Sequence, residues 1–259
     1  MVIEREWTRR LAWEGCLNAR DLGGYPTGDG GQTRWGAVVR SDSLAELTAA
    51  GRQDLLDYGV RSMVDLRMPD EIAAHPNPFA TPDAHGVRYA NVSFIDPAAP
   101  PPEEAAARMA DDYKGMLRRF SRGVAEVMAA IANAPPGGVL VHCAAGKDRT
   151  GLVAALLLGL VGVAPETIAA DYALTAECLR PRELEWLQHG PGDRAEREAR
   201  LRAWAPTAEV MLEVLDHLDE RYGGVEAYLR HAGVSDEDLA RLRTRLLAPA
   251  GEPSRPAAG

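Results

Sequence analysis

Val139-Leu140-Val141-His142-Cys143-Ala144-Ala145-Gly146-Lys147-Asp148-Arg149-Thr150-Gly151 runs from a short apolar, β-branched segment through a polar turn into the long apolar stretch Leu152 to Val163. The first part has strand character and the last has helical length. The residues between them therefore predict a strand–loop–helix junction, with loop N–H groups and a helix N-terminus facing one point. Such a junction is an anion site by construction. Its reading decides the fold, because a strand feeding a helix in this way belongs to a sheet with helices on its faces.

The loop also carries reactive chemistry. Cys143 is the candidate nucleophile towards phosphorus. A free cysteine, with a pKa of about 8.5, needs neighbours that stabilise its thiolate. Arg149, six positions on, brings a planar fork that matches two oxygens of a phosphate. Gly146 and Gly151 allow a tight turn and close backbone approach. Thr150 can donate its hydroxyl to the sulfur when it leaves, and His142 is expected to brace the loop. Backbone and side chains of Ala144, Ala145, Gly146, Lys147, Asp148 and Thr150 form the expected substrate cradle. A cysteine ending an apolar strand is often just a small buried hydrophobe, but the companions of Cys143 argue against that here. Gly146-Lys147 does not make a nucleotide-binding loop. That loop needs G-x-x-x-x-G-K-[ST], whereas position 141 is Val and Asp148 stands where Ser or Thr is required.

The form HCxAGKxRTG resembles protein tyrosine phosphatases, especially their dual-specificity and lipid-phosphatase branches. Further segments are similar to atypical bacterial tyrosine/serine phosphatases with phosphoinositide activity. They are Asn18-Ala19-Arg20-Asp21, Arg40-Ser41-Asp42-Ser43-Leu44, Val64-Asp65-Leu66-Arg67, Asp171-Tyr172 and Tyr228-Leu229-Arg230 with Ala232-Gly233-Val234. The resemblance runs from about residue 14 to 247. It implies a phosphomonoester hydrolase working through a cysteinyl-phosphate, with a phosphorylated protein or a phosphoinositide as partner and no cofactor. It also implies a helical lid over residues 180–204, and Asp148 as a partner that orients Arg149 or a loop amide. Two other readings fit a cysteine in an anion pocket: an inactive phosphate-binding module and a rhodanese-like sulfurtransferase.

A phosphatase also needs an acid for the leaving oxygen. Asp96, in Ser93-Phe94-Ile95-Asp96-Pro97, ends a strand at the start of a proline-rich loop and is the first candidate. The resembled family has its proposed acid in a similar setting. Asp65 is the second, although with Arg67 it equally reads as a buried ion pair. Arg20 and Asp21 read as a structural salt bridge beneath the loop.

Composition bounds the remainder. The chain has 259 residues, 46% of them hydrophobic, enough for one sizeable α/β domain over residues 1–248. Its 29 Lys and Arg against 38 Asp and Glu give a net charge of −9. That excludes a general attraction to nucleic acid or anionic membrane. Cys16, Cys143 and Cys178 form no C-x-x-C, so neither a zinc cage nor a disulfide framework is predicted, and a reducing, cytoplasmic setting is expected. No histidine has metal-ligand spacing. The N-terminus is charged rather than apolar, and Leu152 to Val163 is too short for a membrane span.

Strands are predicted at Gly36–Arg40, Val60–Leu66, Val87–Phe94 and the segment before Cys143, with a hairpin turn at 27–32. Helices are predicted at 43–58, from 70, at 113–134 and at 152–163. Beyond them the chain reads entirely helical, in segments 165–176, 181–187, 193–204, 206–222, 225–233 and 235–247. The expected fold is α/β: a phosphatase-like, mostly parallel central sheet flanked by helices, with a mostly helical C-terminal half. Residues 1–13 read as a peripheral arm and 249–259 as a disordered tail.

Overall fold

A computed structural model describes residues 9–81, 86–96, 98–100 and 106–249. Five strands form one sheet in the order β1-β2-β5-β3-β4. They are β1 (Arg20–Asp21), β2 (Val38–Ser41), β3 (Val60–Asp65), β4 (Arg88–Asn91) and β5 (Gly138–His142). Only β1 is antiparallel to its neighbour; β2, β5, β3 and β4 run parallel. The central strand β5 is buried at every residue, so its sequence is continuously apolar rather than alternating. The expected mostly parallel sheet is present, and the reactive loop leaves its middle strand at the C-terminal edge, where open α/β sheets bind ligands.

Alternation along β5 divides the core. Val139 and Val141 face a large cluster built on α4 (Ser121–Ala132), α5 (Asp148–Leu160) and the C-terminal helices, whereas Leu140 faces a smaller one with Trp13, Leu44, Leu55 and Phe79. Leu140 and its partners bury the other face of the sheet. Helix α5 is buried nearly all round, which is why its sequence has no polar face. Residues 9–13 lie beside β1, with Asp21 N–H donating to Arg9 O and Leu11 N–H to Ala19 O. The rest of the expected N-terminal arm, and the tail beyond Pro249, lie outside the described residues.

Several boundaries differ from the expectation. The helix predicted over 43–58 is α1 (Ala49–Tyr58), because the Thr48 side chain caps it by accepting from Gly51 N–H and Ser43 is held to the reactive loop instead. The helix predicted at 113–134 is two, α3 (Met109–Arg119) and α4, separated at Phe120. The fourth strand is only Arg88–Asn91. In the other direction, the two segments 165–176 and 181–187 are one helix, α6 (Pro165–His189), running through Pro181. Proline removes one N–H and crowds the carbonyl four residues back, but Glu177 and Pro181 are both exposed, so that carbonyl faces water. The break at Gly190-Pro191-Gly192 is real, and Asp193 caps α7 (Arg194–Ala203). Helices α2 (Pro69–Ala74), α8 (Ala208–Tyr222), α9 (Val225–Ala232) and α10 (Asp236–Leu246) complete the chain. Among the described residues no helix is long and apolar enough to cross a membrane.

Candidate active site

The loop after β5 keeps its shape because its carbonyls are all taken on its outer side. Cys143 O meets His142 Nδ1 at 3.1 Å. Ala144 O accepts from Ser43 N–H. Ala145 O and Gly146 O both accept from Asn18 Nδ2, at 3.0 and 3.1 Å, and Gly146 O also accepts from Arg40 Nη2 at 2.9 Å. Lys147 O closes the first turn of α5 by accepting from Gly151 N–H. In a trans peptide the N–H points opposite to the C=O. With the carbonyls anchored outward, the N–H groups of Ala144 to Lys147 face the concave side, and among the described residues none of them donates to a protein acceptor. The loop therefore presents a nest of donors at the N-terminus of α5.

Gly146 is fixed by this arrangement. Its φ is 64°, and an added Cβ would lie 2.5 Å from Ser41 O, so only glycine fits. Gly151 is fixed by packing, since a Cβ there would meet the Tyr172 ring at 3.0 Å.

Cys143 is buried at the base of the nest, while Ala144 at its rim is exposed. Arg149 stands beside it. Its Nη1 and Nη2 donate to Glu71 Oε2 and Oε1 at 2.5 and 2.7 Å, which uses one edge of the guanidinium and leaves the Nε–Nη2 edge for two ligand oxygens. Burial pulls the Arg149 proton affinity down, but Glu71 and the Cys143 sulfur more than reverse this, so it stays above the usual arginine range. Glu71 is the mirror image. Burial raises its carboxyl, and the Arg149 bonds outweigh burial and hold it below the usual range. Thr150 Oγ1 is buried with no hydrogen-bond partner among the described residues, so its donor is uncommitted.

Buried charged side chains hold the loop from beneath. Asp171 of α6 is buried between Arg40 Nη1 at 2.5 Å and Arg20 Nε at 3.1 Å. Burial pushes its carboxyl up, but Arg40 and Arg20 prevail and hold it at about 2. Arg20 also donates to Asn18 Oδ1, which turns the Asn18 amide nitrogen towards the loop. Arg20 thus pairs with Asp171 rather than with Asp21, correcting the expected salt bridge. Asp21 instead accepts from Gly23 and Gly36 N–H and from Tyr58. His142 braces the loop as expected. Its Nε2 meets Asn77 Nδ2 at 2.9 Å, and burial lowers its pKa, so the neutral ring donates from Nδ1 to Cys143 O.

Asp65, Asp96 and Asp148 have different placements. Asp65 is fully buried and accepts from Arg67 Nε and Nη2 and from Tyr89. Burial raises its carboxyl, but the Arg67 bonds prevail and lower it, so it is the buried ion pair. Asp96 sits on an exposed turn, its Oδ1 accepting from Ala98 N–H at 2.9 Å, in a hollow with Arg119 and Phe120 that includes no residue of the loop. Asp148 is at the loop itself, its Oδ1 accepting from Tyr113 Oη at 2.6 Å; it contacts neither Arg149 nor a loop amide as a hydrogen-bond partner. Among the described residues no group of three or more His, Cys, Asp or Glu could hold a metal ion.

The profile of the tyrosine phosphatase family matches residues 11–248. The chain belongs to that family. It is 35% identical over 224 residues to a tyrosine-protein phosphatase of Nostoc commune, covering 81% of this chain and 74% of the relative. A tyrosine-protein phosphatase assigned in Cupriavidus necator is 32% identical over 251 residues, covering 92% and 88%. The triple specificity protein phosphatase PtpB of Mycobacterium tuberculosis is 30% identical over 275 positions, covering 90% and 97%. This phosphatase is thus a bacterial-type protein-tyrosine phosphatase, a hydrolase, and the sulfurtransferase and inactive-module readings are set aside.

Sequence reasoning named Cys143, Arg149 and the loop, which the structure brings together, and missed Glu71, Asn18 as the loop's anchor and Asn77. Glu71 had a weak signal: it follows Arg67-Met68-Pro69 at the third position of a helix, and it does cap that helix by accepting from Met68 N–H. Nothing in a linear reading pairs it with an arginine 78 positions away.

Proposed function

We propose that this phosphatase hydrolyses phosphotyrosine monoesters through a cysteinyl-phosphate on Cys143. The observation that carries the reading is the outward anchoring of every carbonyl from Cys143 to Gly146. It leaves the amides and the open edge of Arg149 as donors for the phosphate oxygens above a buried sulfur. The sulfur attacks phosphorus, the alcohol leaves with a proton, and water then releases phosphate. Thr150 donates to the departing thiolate. Three free thiols, Cys16, Cys143 and Cys178, suit a reducing compartment.

The segment 180–204 acts as a cover in this reading. Lys147 Nζ donates to Trp204 O at 3.2 Å, and Arg182 reaches Asp42 at 3.0 Å. Trp186, Leu201 and Trp204 face Lys147 and Asp148 across a cleft of about 590 Å³. An aryl leaving group finds an apolar wall there.

Phosphoserine, phosphothreonine and phosphoinositide hydrolysis form a second reading, favoured by the cation of Lys147 beside the loop. The cleft sets Lys147 and Arg200 against Asp112, Asp148 and Glu183, so a second phosphate competes with three carboxylates. Phosphate release from phosphotyrosine, phosphoserine and phosphothreonine peptides and from phosphoinositides tests both readings. Phosphotyrosine is expected to lead, and Lys147→Ala is expected to reduce phosphoinositide turnover most. Equal losses on all substrates would remove Lys147 from specificity, and no release from any would refute the proposal.

A further inference from the structure

The acid for the leaving group is the part of the chemistry that the loop does not itself supply. Asp96 stays on its turn and Asp65 is saturated by donors, as described above. A third carboxyl, Asp112, faces the end of the loop at Lys147 and Asp148. It lies in the first turn of α3, is half-buried, and lines the same cleft as Lys147, Asp148 and Trp204. The next residue fixes its position. Tyr113 Oη donates to Asp148 Oδ1 at 2.6 Å and lies 2.7 Å from Tyr172 Oη, so α3 is pinned to the loop one residue from Asp112.

The charges facing Asp112 can be named by element. The loop presents Asp148 and Lys147, α3 its own Arg119, α6 Glu183 and α7 Arg200. Burial raises the Asp112 carboxyl, the charge of Asp148 raises it further, and Arg119 only partly offsets them. Neighbouring carboxylates resist joint ionisation, so one of the two retains a proton to higher pH. A carboxyl that is partly desolvated, next to a like charge and in a cleft lined by Lys147 and Asp148 of the reactive loop has the attributes of a general acid.

We propose that Asp112 is the proton donor to the leaving group, with Asp148 keeping it protonated; this rests on the phosphatase reading above. As the Cys143 sulfur bonds to phosphorus, the bond from phosphorus to the ester oxygen breaks. Its electron pair goes to that oxygen, which takes the proton of Asp112. In the second step a water oxygen bonds to phosphorus and the water passes a proton to the Asp112 carboxylate. The S–P electron pair returns to sulfur, phosphate departs, and the carboxyl is protonated again. Asp148 acts through Asp112 and is a positioning residue.

Asp112→Asn tests this, with rates on phenyl phosphate and on an activated nitrophenyl ester measured across pH, and vanadate binding as the check on the loop. The expected loss is about 10²-fold or more on phenyl phosphate and only a few-fold on the activated ester, since general acid catalysis supplies about 10²–10⁴-fold. Activity of the wild type falls as pH rises through the Asp112 pKa, so the basic limb of the profile is expected to vanish in Asp112→Asn. Asp112→Glu is expected to restore part of the limb. Asp148→Asn removes a like charge and is expected to move the limb to lower pH without abolishing it. Asp112→Ser serves in the same way if the Asn variant does not fold. A retained limb and unchanged leaving-group dependence in a folded Asp112 variant would overturn the proposal, as would loss of the limb in Asp96→Asn alone. Turnover of the activated ester by wild type tests the phosphatase reading separately.

Discussion

Cys143 and Arg149 have separable duties, and substitutions should separate them. Cys143→Ser leaves the loop amides and Arg149 in place, so turnover is expected to be lost while vanadate binding persists. Arg149→Lys replaces a fork by a point charge. It is expected to lose at least about 10²–10³-fold in kcat, the range seen when one transition-state donor is removed, and to weaken vanadate binding as well. Steady-state rates and vanadate titration check both. Glu71→Gln keeps the shape but removes the charge that holds the guanidinium. A loss smaller than that of Arg149→Lys is expected, and an unchanged rate would show that the loop alone orients Arg149.

At the scale of elements, the strand–loop–helix junction was legible because its signals are local: an apolar run, a glycine-bearing turn and a second apolar run within 25 positions of chain. The anchoring of that junction was not legible. Asn18 reaches Ala145 O and Gly146 O from 127 and 128 positions away, and its amide is aimed by Arg20. Such pairings follow from the strand order β1-β2-β5, which no single segment encodes. The extra strand and helix length assigned at 43–48 and around 87–94 failed for a related reason. Those residues have the right periodicity, but their backbone groups go elsewhere: Ser43 N–H to the loop at Ala144 O, Leu47 N–H to Leu44 O, Thr48 N–H to Glu14 O, and Val92 and Phe94 N–H to Asp65 O and Leu66 O at the end of β3. Asn18→Ala removes two bonds to loop carbonyls and leaves Ala145 O without that donor, while Gly146 O keeps Arg40. A loss of about 1–3 kcal/mol in stability, read by denaturant unfolding, is expected together with weaker vanadate binding. Vanadate affinity equal to wild type would mean the loop holds its shape without Asn18.

For the molecule as a whole, Asp171 joins the sheet, the loop and α6. Its folded carboxyl lies at about 2, below the unfolded value of about 3.9. The stability from this difference is therefore present above about pH 4 and is lost as pH falls towards 2. Asp171→Asn strands two buried arginines, and removing one partner of a buried pair costs about 3–5 kcal/mol. Thermal melts at pH 7 and pH 3 are expected to show a large loss at pH 7 that narrows at pH 3; an equal loss at both would contradict the linkage. The proposed role of residues 180–204 as a cover makes a second prediction. Deleting 183–202 with a short linker should leave the sheet and its core intact and speed peroxide oxidation of Cys143. Unchanged oxidation in a folded deletion variant would leave the segment a structural role only.

The covalent intermediate on Cys143 is the claim on which all of this depends. A phenolic phosphomonoester carrying labelled phosphorus, mixed with the enzyme and quenched rapidly in denaturing detergent at alkaline pH, where a phosphorus–sulfur bond survives, reports it directly. The phosphoryl group is predicted on the peptide containing Cys143 in the wild type and on no peptide in Cys143→Ser. Label on any other residue, or hydrolysis by the wild type with no labelled peptide at any quench time, would contradict the account.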